Sequence, residues 1–431
     1  MTAPAEATPP VTAKPPGLAR LAALSAFGFS IPLVHAVMEP GLLGAKVIEL
    51  APNDRNTALG GLTFAGLLVA VVAQPIIGAL SDGTRSRLGP RLPWMIAGCL
   101  LCAVAGALTV VAPAFWLLLL AYGLVQLATN TIQGPWQAVV PDEVPRESHG
   151  RAAAIKSVLE MASAVAGRAA TGEILAQQPT WGRGALWLAL AMAVIGLAAA
   201  LVITALTVRH RGTSASHAGE SALVLLRGSL AVLRGDRVFR LWFVNRLLFW
   251  GAFITVTTFL LFYAMDVLRM PEAEAQSFVG RISAVVGAVL VVAVLLVGWL
   301  SDRLGRRVFL VAAGVVCAVG AVVLLLARDP IGTSVSAGLV ALGCGLYMAA
   351  SWALITETVS PAQAARSLGL ANVATAGASA SVRLPAGALI DRVNDLAGDG
   401  QSGYLAVYAL AALAFAASSL VALRLPARPA A

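Results

Sequence analysis

The sequence predicts an all-α polytopic membrane protein, with twelve transmembrane helices in two pseudo-symmetric six-helix halves. Three observations predict it. Of 431 residues, 59% are hydrophobic and only 12% are charged, against about 25% charged in a soluble globular chain. Twelve apolar stretches are long enough to cross a bilayer core, which takes about 20 residues of helix. A short basic turn is also written twice, GALSDGTRSRLGPRLPW from Gly78 and GWLSDRLGRR from Gly298, each time between two apolar stretches.

The stretches lie near 19–43, 57–80, 94–112, 114–139, 151–175, 184–208, 238–264, 275–299, 308–327, 333–356, 367–391 and 402–424. Helices are expected, because no water is present in the bilayer core to satisfy an open backbone. Residues 1–17 are rich in proline and alanine and read as a disordered cytoplasmic tail. Spans one to six form an N-terminal half, 18–208. Residues 209–236 read as a cytoplasmic linker, in which SALVLLRGSLAVLRG suits a helix lying at the membrane interface. A C-terminal half, 237–424, and a short cytoplasmic tail, 425–431, follow. The first span, at about 25 residues, is too long for the apolar region of a signal peptide.

The basic residues set the orientation. With the N-terminus inside, 19 of the 30 lysines and arginines fall on the cytoplasmic side and six on the other. Both termini are therefore expected in the cytoplasm, with the chain in the cell (plasma or inner) membrane. The net charge of +9 is spread over short loops and does not form the domain-sized patch of a nucleic-acid binder. The four cysteines (Cys99, Cys102, Cys317, Cys344) all lie in apolar stretches and read as packing residues. Arginine far outnumbers lysine, 27 to 3, a bias that accompanies GC-rich bacterial genomes. The histidines are scattered and no phosphate-cradling GxxxxGK occurs. Enzyme chemistry, an ATP-driven pump, a cofactor and a metal site are therefore not expected.

The repeated turn resembles the signature loop of the major facilitator superfamily, between helices two and three and again between eight and nine. A second echo, Trp136 to Pro145 and Trp352 to Pro361, sits at matching places in the two halves. The longer first turn, with Asp82, Thr84, Arg85, Arg87, Gly89, Arg91, Pro93 and Trp94, is similar to the glycoside–pentoside–hexuronide and sucrose-transporter-like branch. PDEVPRESHGR (141–151) and AARSLGLAN (364–372) are similar to it too. Gly83 and Pro90 depart from the branch, which usually has basic residues there. The resemblance implies a cytoplasmic gate built from Asp82, Arg85 and Arg87 in the first turn and Asp302, Arg303, Arg306 and Arg307 in the second. Contacts across the half-interface would close it in one state. Alternatively, Arg85, Arg87, Arg91 and Arg307 serve only to orient the chain.

The resemblance also implies that helices one, four, seven and ten line the solute path. On span four, Tyr122, Gln126, Asn130, Gln133 and Gln137 fall within an arc of about 80° at 100° per residue. They line solute or water, or they act as interhelical packing bonds. Span ten offers Tyr347 and Ser351. His35 and Glu39, one turn apart in span one, are either a site pair or a plain interfacial pair near its outer end.

A charge at mid-membrane costs about 2.5–3.5 kcal/mol on the insertion scale and points to function. Glu160, Arg168, Arg246 and Arg383 qualify. Arg168 and Arg383, each in the fifth helix of its half, are expected to contact solute or form ion pairs. Arg246 is either a solute contact or a snorkelling residue. Glu160 reads as the only carboxylate near a span centre and as the proton-coupling site, with a structural pair to Lys156 as the rival. The melibiose-type members of the branch that the chain resembles use acids in the second helix for sodium; span two, 57–80, has none, so the resemblance disfavours sodium. The expected function is a monomeric secondary transporter moving a small polar solute, sugar-like in the first instance, by proton-coupled symport through alternating access. The alternatives are proton-driven export of a drug or metabolite, and carriage of an organic anion.

Overall fold

The computed structural model describes residues 16–208, 236–358 and 364–426. These residues form twelve membrane-length helical runs, with no strand among them. Span one runs through Leu18–Leu24, Phe27–Ala36, Val37–Leu42 and Leu43–Leu50. Spans two to six are Arg55–Asp82, Leu92–Val111, Phe115–Glu143, His149–Ala176 and Arg183–Thr207. Span seven comprises Arg237–Thr258 and Leu260–Asp266. Spans eight to twelve are Glu272–Leu304, Arg306–Leu326, Pro330–Thr358, Ala364–Ala397 and Ser402–Ala422. The helix expected in the linker lies outside the described residues.

Ten of these runs are apolar enough to cross a membrane by length and composition alone. Among the described residues, spans five and eleven are not in that set. Span five carries charges at Arg151, Lys156, Glu160, Arg168 and Glu173. Span eleven substitutes small and polar residues for leucines. Both are the helices that carry the deep arginines.

Span one extends past its expected end near 43 to Leu50, so Lys46 lies in the helix, fully buried and paired with Glu49 at 2.6 Å, not in an outer loop. It is also interrupted. Glu39 has an extended backbone (φ −114°, ψ 123°) within a π-helical turn, Val37–Leu42. Pro40 causes this: its ring disfavours the helical region for the preceding residue, and it has no N–H to donate. Span seven starts sharply because the Asp236 carboxylate accepts from the backbone N–H groups of Val238 and Phe239, at 2.8 and 3.1 Å, the usual N-cap arrangement. At the second basic turn Gly305 has φ +87°, a conformation only glycine adopts without strain.

The two halves meet through spans two and eleven and through spans five and eight. Close approach depends on missing side chains. A Cβ on Gly60 would collide with the Arg383 carbonyl, and one on Gly387 with the Asn56 carbonyl. Polar bonds tie the halves together at the end away from the basic turns, here the far end. Asp391 accepts from Asn56 Nδ2 at 2.8 Å, and from Thr57 N and Oγ1, both at 2.7 Å. Arg55 pairs with Asp266, which also accepts from the Tyr404 hydroxyl at 2.6 Å. Ser277 donates to Glu173 at 2.7 Å.

Candidate functional site

Below this seam, the break in span one turns the Glu39 carboxylate toward the middle of the bundle. Arg383 Nη1 of span eleven pairs with its Oε2 at 2.7 Å. The Tyr122 hydroxyl of span four donates to its Oε1 and accepts from Gln126 Nε2 at 2.6 Å. Glu39 and Arg383 also line a small cavity of about 40 Å³ together with Arg168, Thr63, Thr257 and Thr258. A carboxylate of the N-terminal half thus sits among arginines from both halves, Arg168 of span five and Arg383 of span eleven.

Toward the basic end lies a larger cavity of about 260 Å³, enclosed by spans one, four and five. Its walls are Phe27, Ile31, Pro32, His35, Ala36, Gln133, Trp136, Glu160, Ala164 and Arg168. Arg168 therefore belongs to both cavities. The Trp136 Nε1–H donates to the Leu24 carbonyl at 3.0 Å, which fixes the indole plane, and Lys156 Nζ stands 5.0 Å from the ring centroid.

The polar face expected on span four therefore divides by depth. Tyr122 and Gln126 are buried at the Glu39 cluster, and Gln133 lines the larger cavity. Asn130 is buried, but its amide donates back to the Gln126 carbonyl of its own helix at 2.8 Å. Gln137 is exposed toward the basic end and accepts from Gln74 at 3.3 Å. Gln137 does not line the cavity.

Glu160 is not the only carboxylate at mid-span; Glu39 is another. Hydropathy ended span one too early and left Glu39 at a supposed outer edge, although the Glu39–Pro40 pair carried the signal of an interruption. Glu160 itself is 39% exposed and pairs with Lys156 at 3.6 Å.

The C-terminal half presents a different picture. Tyr347 is fully buried, stacked on Phe249 at a centroid distance of 3.7 Å, and its hydroxyl donates to Asn245 Oδ1 at 2.9 Å. Ser351, also fully buried, accepts from Trp242 Nε1 at 3.1 Å. Both expected path residues thus serve packing between spans seven and ten here. Arg246 donates to Thr375 Oγ1 at 3.0 Å, and its guanidinium lies 5.4 and 5.9 Å from the rings of Trp242 and Trp250.

At the basic end, Asp82 pairs with Arg91, which is 10% exposed, and Arg91 also reaches Ser81 Oγ at 2.9 Å and Asp142 at 3.4 Å. These bonds stay inside the N-terminal half. Trp94 Nε1 donates to Thr84 Oγ1 at 2.8 Å and pins the same turn. Arg85 and Arg87 are exposed, and Arg306 and Arg307 are half-buried. The side chains of Asp302 and Arg303 lie outside the described residues.

The sequence profile described as Major Facilitator Superfamily matches residues 21–382. An uncharacterized symporter of Synechocystis sp. is 34% identical over 95 residues, a match that spans 19% of this chain and 18% of that protein. Among solved structures, the nucleoside transporter NupG superposes with a TM-score of 0.69 at 14% identity, covering 94% of this chain and 98% of that one. A bacterial homologue of the human lysosomal transporter Spinster, inward-facing and occupied, gives 0.69 at 14% identity over 94% of each chain. A peptide transporter in complex with alafosfalin gives 0.67 at 15% identity over 96% of each. With a profile match across most of its length and the same helical architecture, this chain belongs to the Major Facilitator Superfamily of transporters.

Proposed function

We propose that the chain is a proton-coupled symporter of a small polar solute, working by alternating access with Glu39 as the coupling carboxylate. The observation that carries this reading is the Glu39–Arg383 bridge, 2.7 Å long, joining the two halves beside the central cavities. A bridge of this kind has two states. Deprotonated, Glu39 holds Arg383 and ties the halves at mid-depth. Protonated, it gives up most of that attraction, and the halves separate more readily.

Placing the basic turns in the cytoplasm, as the excess of positive residues at that end favours, makes the far-end seam the extracellular gate. The chamber lined by Gln133 and Glu160 is then assigned to the cytoplasmic side, and both termini lie inside. Glu160, half in solvent and paired with Lys156, is assigned the rim of that chamber in place of the coupling role.

The test is the full chain in liposomes, with labelled sugars and organic acids and an imposed pH gradient. Acid outside is expected to drive accumulation, and solute added outside is expected to carry protons in. Accumulation indifferent to the gradient overturns the coupling.

A further inference from the structure

We propose that the cavity between spans one, four and five binds a small monocarboxylate with an apolar or ring-shaped body, its carboxylate held by Arg168. This inference rests on the transporter reading above and names the class of its solute.

The argument begins with a charge inventory of the chamber. Glu39 has Arg383 at 2.7 Å, and Glu160 has Lys156 at 3.6 Å. Each carboxylate therefore has its own cation. Arg168 is left over: among the described residues no carboxylate oxygen comes within 4.0 Å of it. It stands eight residues, or about 12 Å of helix, from the far end of span five. A guanidinium without a direct ion pair at such depth is costly. Glu39, which it faces across the small cavity but which is bonded to Arg383, offsets that cost only in part. A bound anion removes that cost, and a carboxylate matches the guanidinium fork with two parallel hydrogen bonds. One arginine suits a single negative charge.

The remaining walls describe the rest of the solute. Phe27, Ile31, Pro32, Ala36 and Ala164 give the cavity an apolar lining, and Trp136 adds a fixed aromatic ring. The indole N–H is already bound to Leu24, so the ring offers the solute surface, not a hydrogen bond. Gln133 and His35 supply the few polar atoms. A mainly apolar pocket with a small number of placed polar groups is the usual form of a small-molecule site. At about 30 Å³ per water, a cavity of 260 Å³ has room for about nine waters, or a solute of roughly a dozen non-hydrogen atoms. Glu160 does not repel such an anion, because Lys156 neutralises it two turns away at the rim.

The test is equilibrium binding to the purified full-length protein in nanodiscs, by calorimetry, with benzoate, cyclohexanecarboxylate, their carboxamides and neutral glucose as probes. The acids are expected to bind at least tenfold more tightly than their amides. Arg168→Gln is expected to reduce that ratio to near one, and Arg168→Lys to restore part of it. A structural role alone would lower the stability of Arg168→Gln without changing the ratio. Equal binding of acid and amide, a ratio that survives Arg168→Gln, or no binding of either acid at millimolar concentration overturns the proposal. Proton uptake by the unmodified protein in liposomes separates the two readings: acid-over-amide discrimination without solute-evoked proton uptake sinks the coupling and leaves the solute class standing. If glucose is taken up with protons and the acids do not bind, the solute class fails and the coupling stands.

Discussion

Asp391, on span eleven, accepts the backbone N–H of Thr57 at 2.7 Å and so caps the start of span two from the opposite half of the protein. The first N–H groups of a helix have no partner within it and carry a partial positive charge. A carboxylate supplied in trans satisfies them only while the far end is closed. Asp391→Asn removes the charge, and hydrogen bonds to charged groups contribute about 1.5–3 kcal/mol. A tenfold or greater shift toward an open far end is expected, read as a longer distance between spin labels at Asn53 and Asp395. An unchanged distance distribution would show that the cap does not hold the seam.

The seam also depends on Gly60, whose missing side chain lets span two pack against the backbone of span eleven at Arg383. Valine there overpacks the contact, at a cost of about 1–3 kcal/mol. Gly60→Val is expected to insert normally and to transport at least tenfold more slowly. A cysteine at Thr63, a position now 2% exposed, should then react with an impermeant thiol reagent from outside. Full transport activity would refute the requirement for close contact.

At the opposite end, Asp82, Arg91 and Asp142 form one ionic cluster inside the N-terminal half. Arg91→Gln and Asp82→Asn should each lower the Tm of the purified protein. Together they should lower it by less than the sum, since residues sharing a network couple by about 0.5–3 kcal/mol. Strict additivity would mean that the two side chains act independently.

Much of this arrangement was legible in the residues. Tyr122, Gln126 and Gln133 stand out as an amide-rich face on an otherwise apolar helix; Gln133 lines the larger cavity, and Tyr122 and Gln126 join the Glu39 cluster. Arg168 and Arg383 stand out by depth, and they meet at one cavity because they occupy equivalent helices of the two halves. The twelve apolar stretches and the doubled basic turn carried the twelve-helix plan in two halves.

Other features were hidden for physical reasons. Glu39 lies where hydropathy averaging blurs a span's end, and only the bend forced by Pro40 carries it inward. Tyr347 reads as a path residue by position, yet Asn245 on a neighbouring helix takes its hydroxyl; a single sequence does not reveal that pairing. Arg91 lay within the signature turn, but nothing in its spacing distinguished it from Arg85 and Arg87. Burial against Asp82 and Ser81 does.

The most direct measurement is solute-evoked proton uptake in liposomes containing Glu39→Gln. The neutral amide keeps the size of the side chain but neither pairs ionically with Arg383 nor takes up a proton. Proton uptake and pH-driven accumulation should both disappear, while exchange of labelled for unlabelled solute continues. Proton uptake at the wild-type rate in Glu39→Gln would contradict the account, and its loss in Glu160→Gln alone would move the coupling site to the rim.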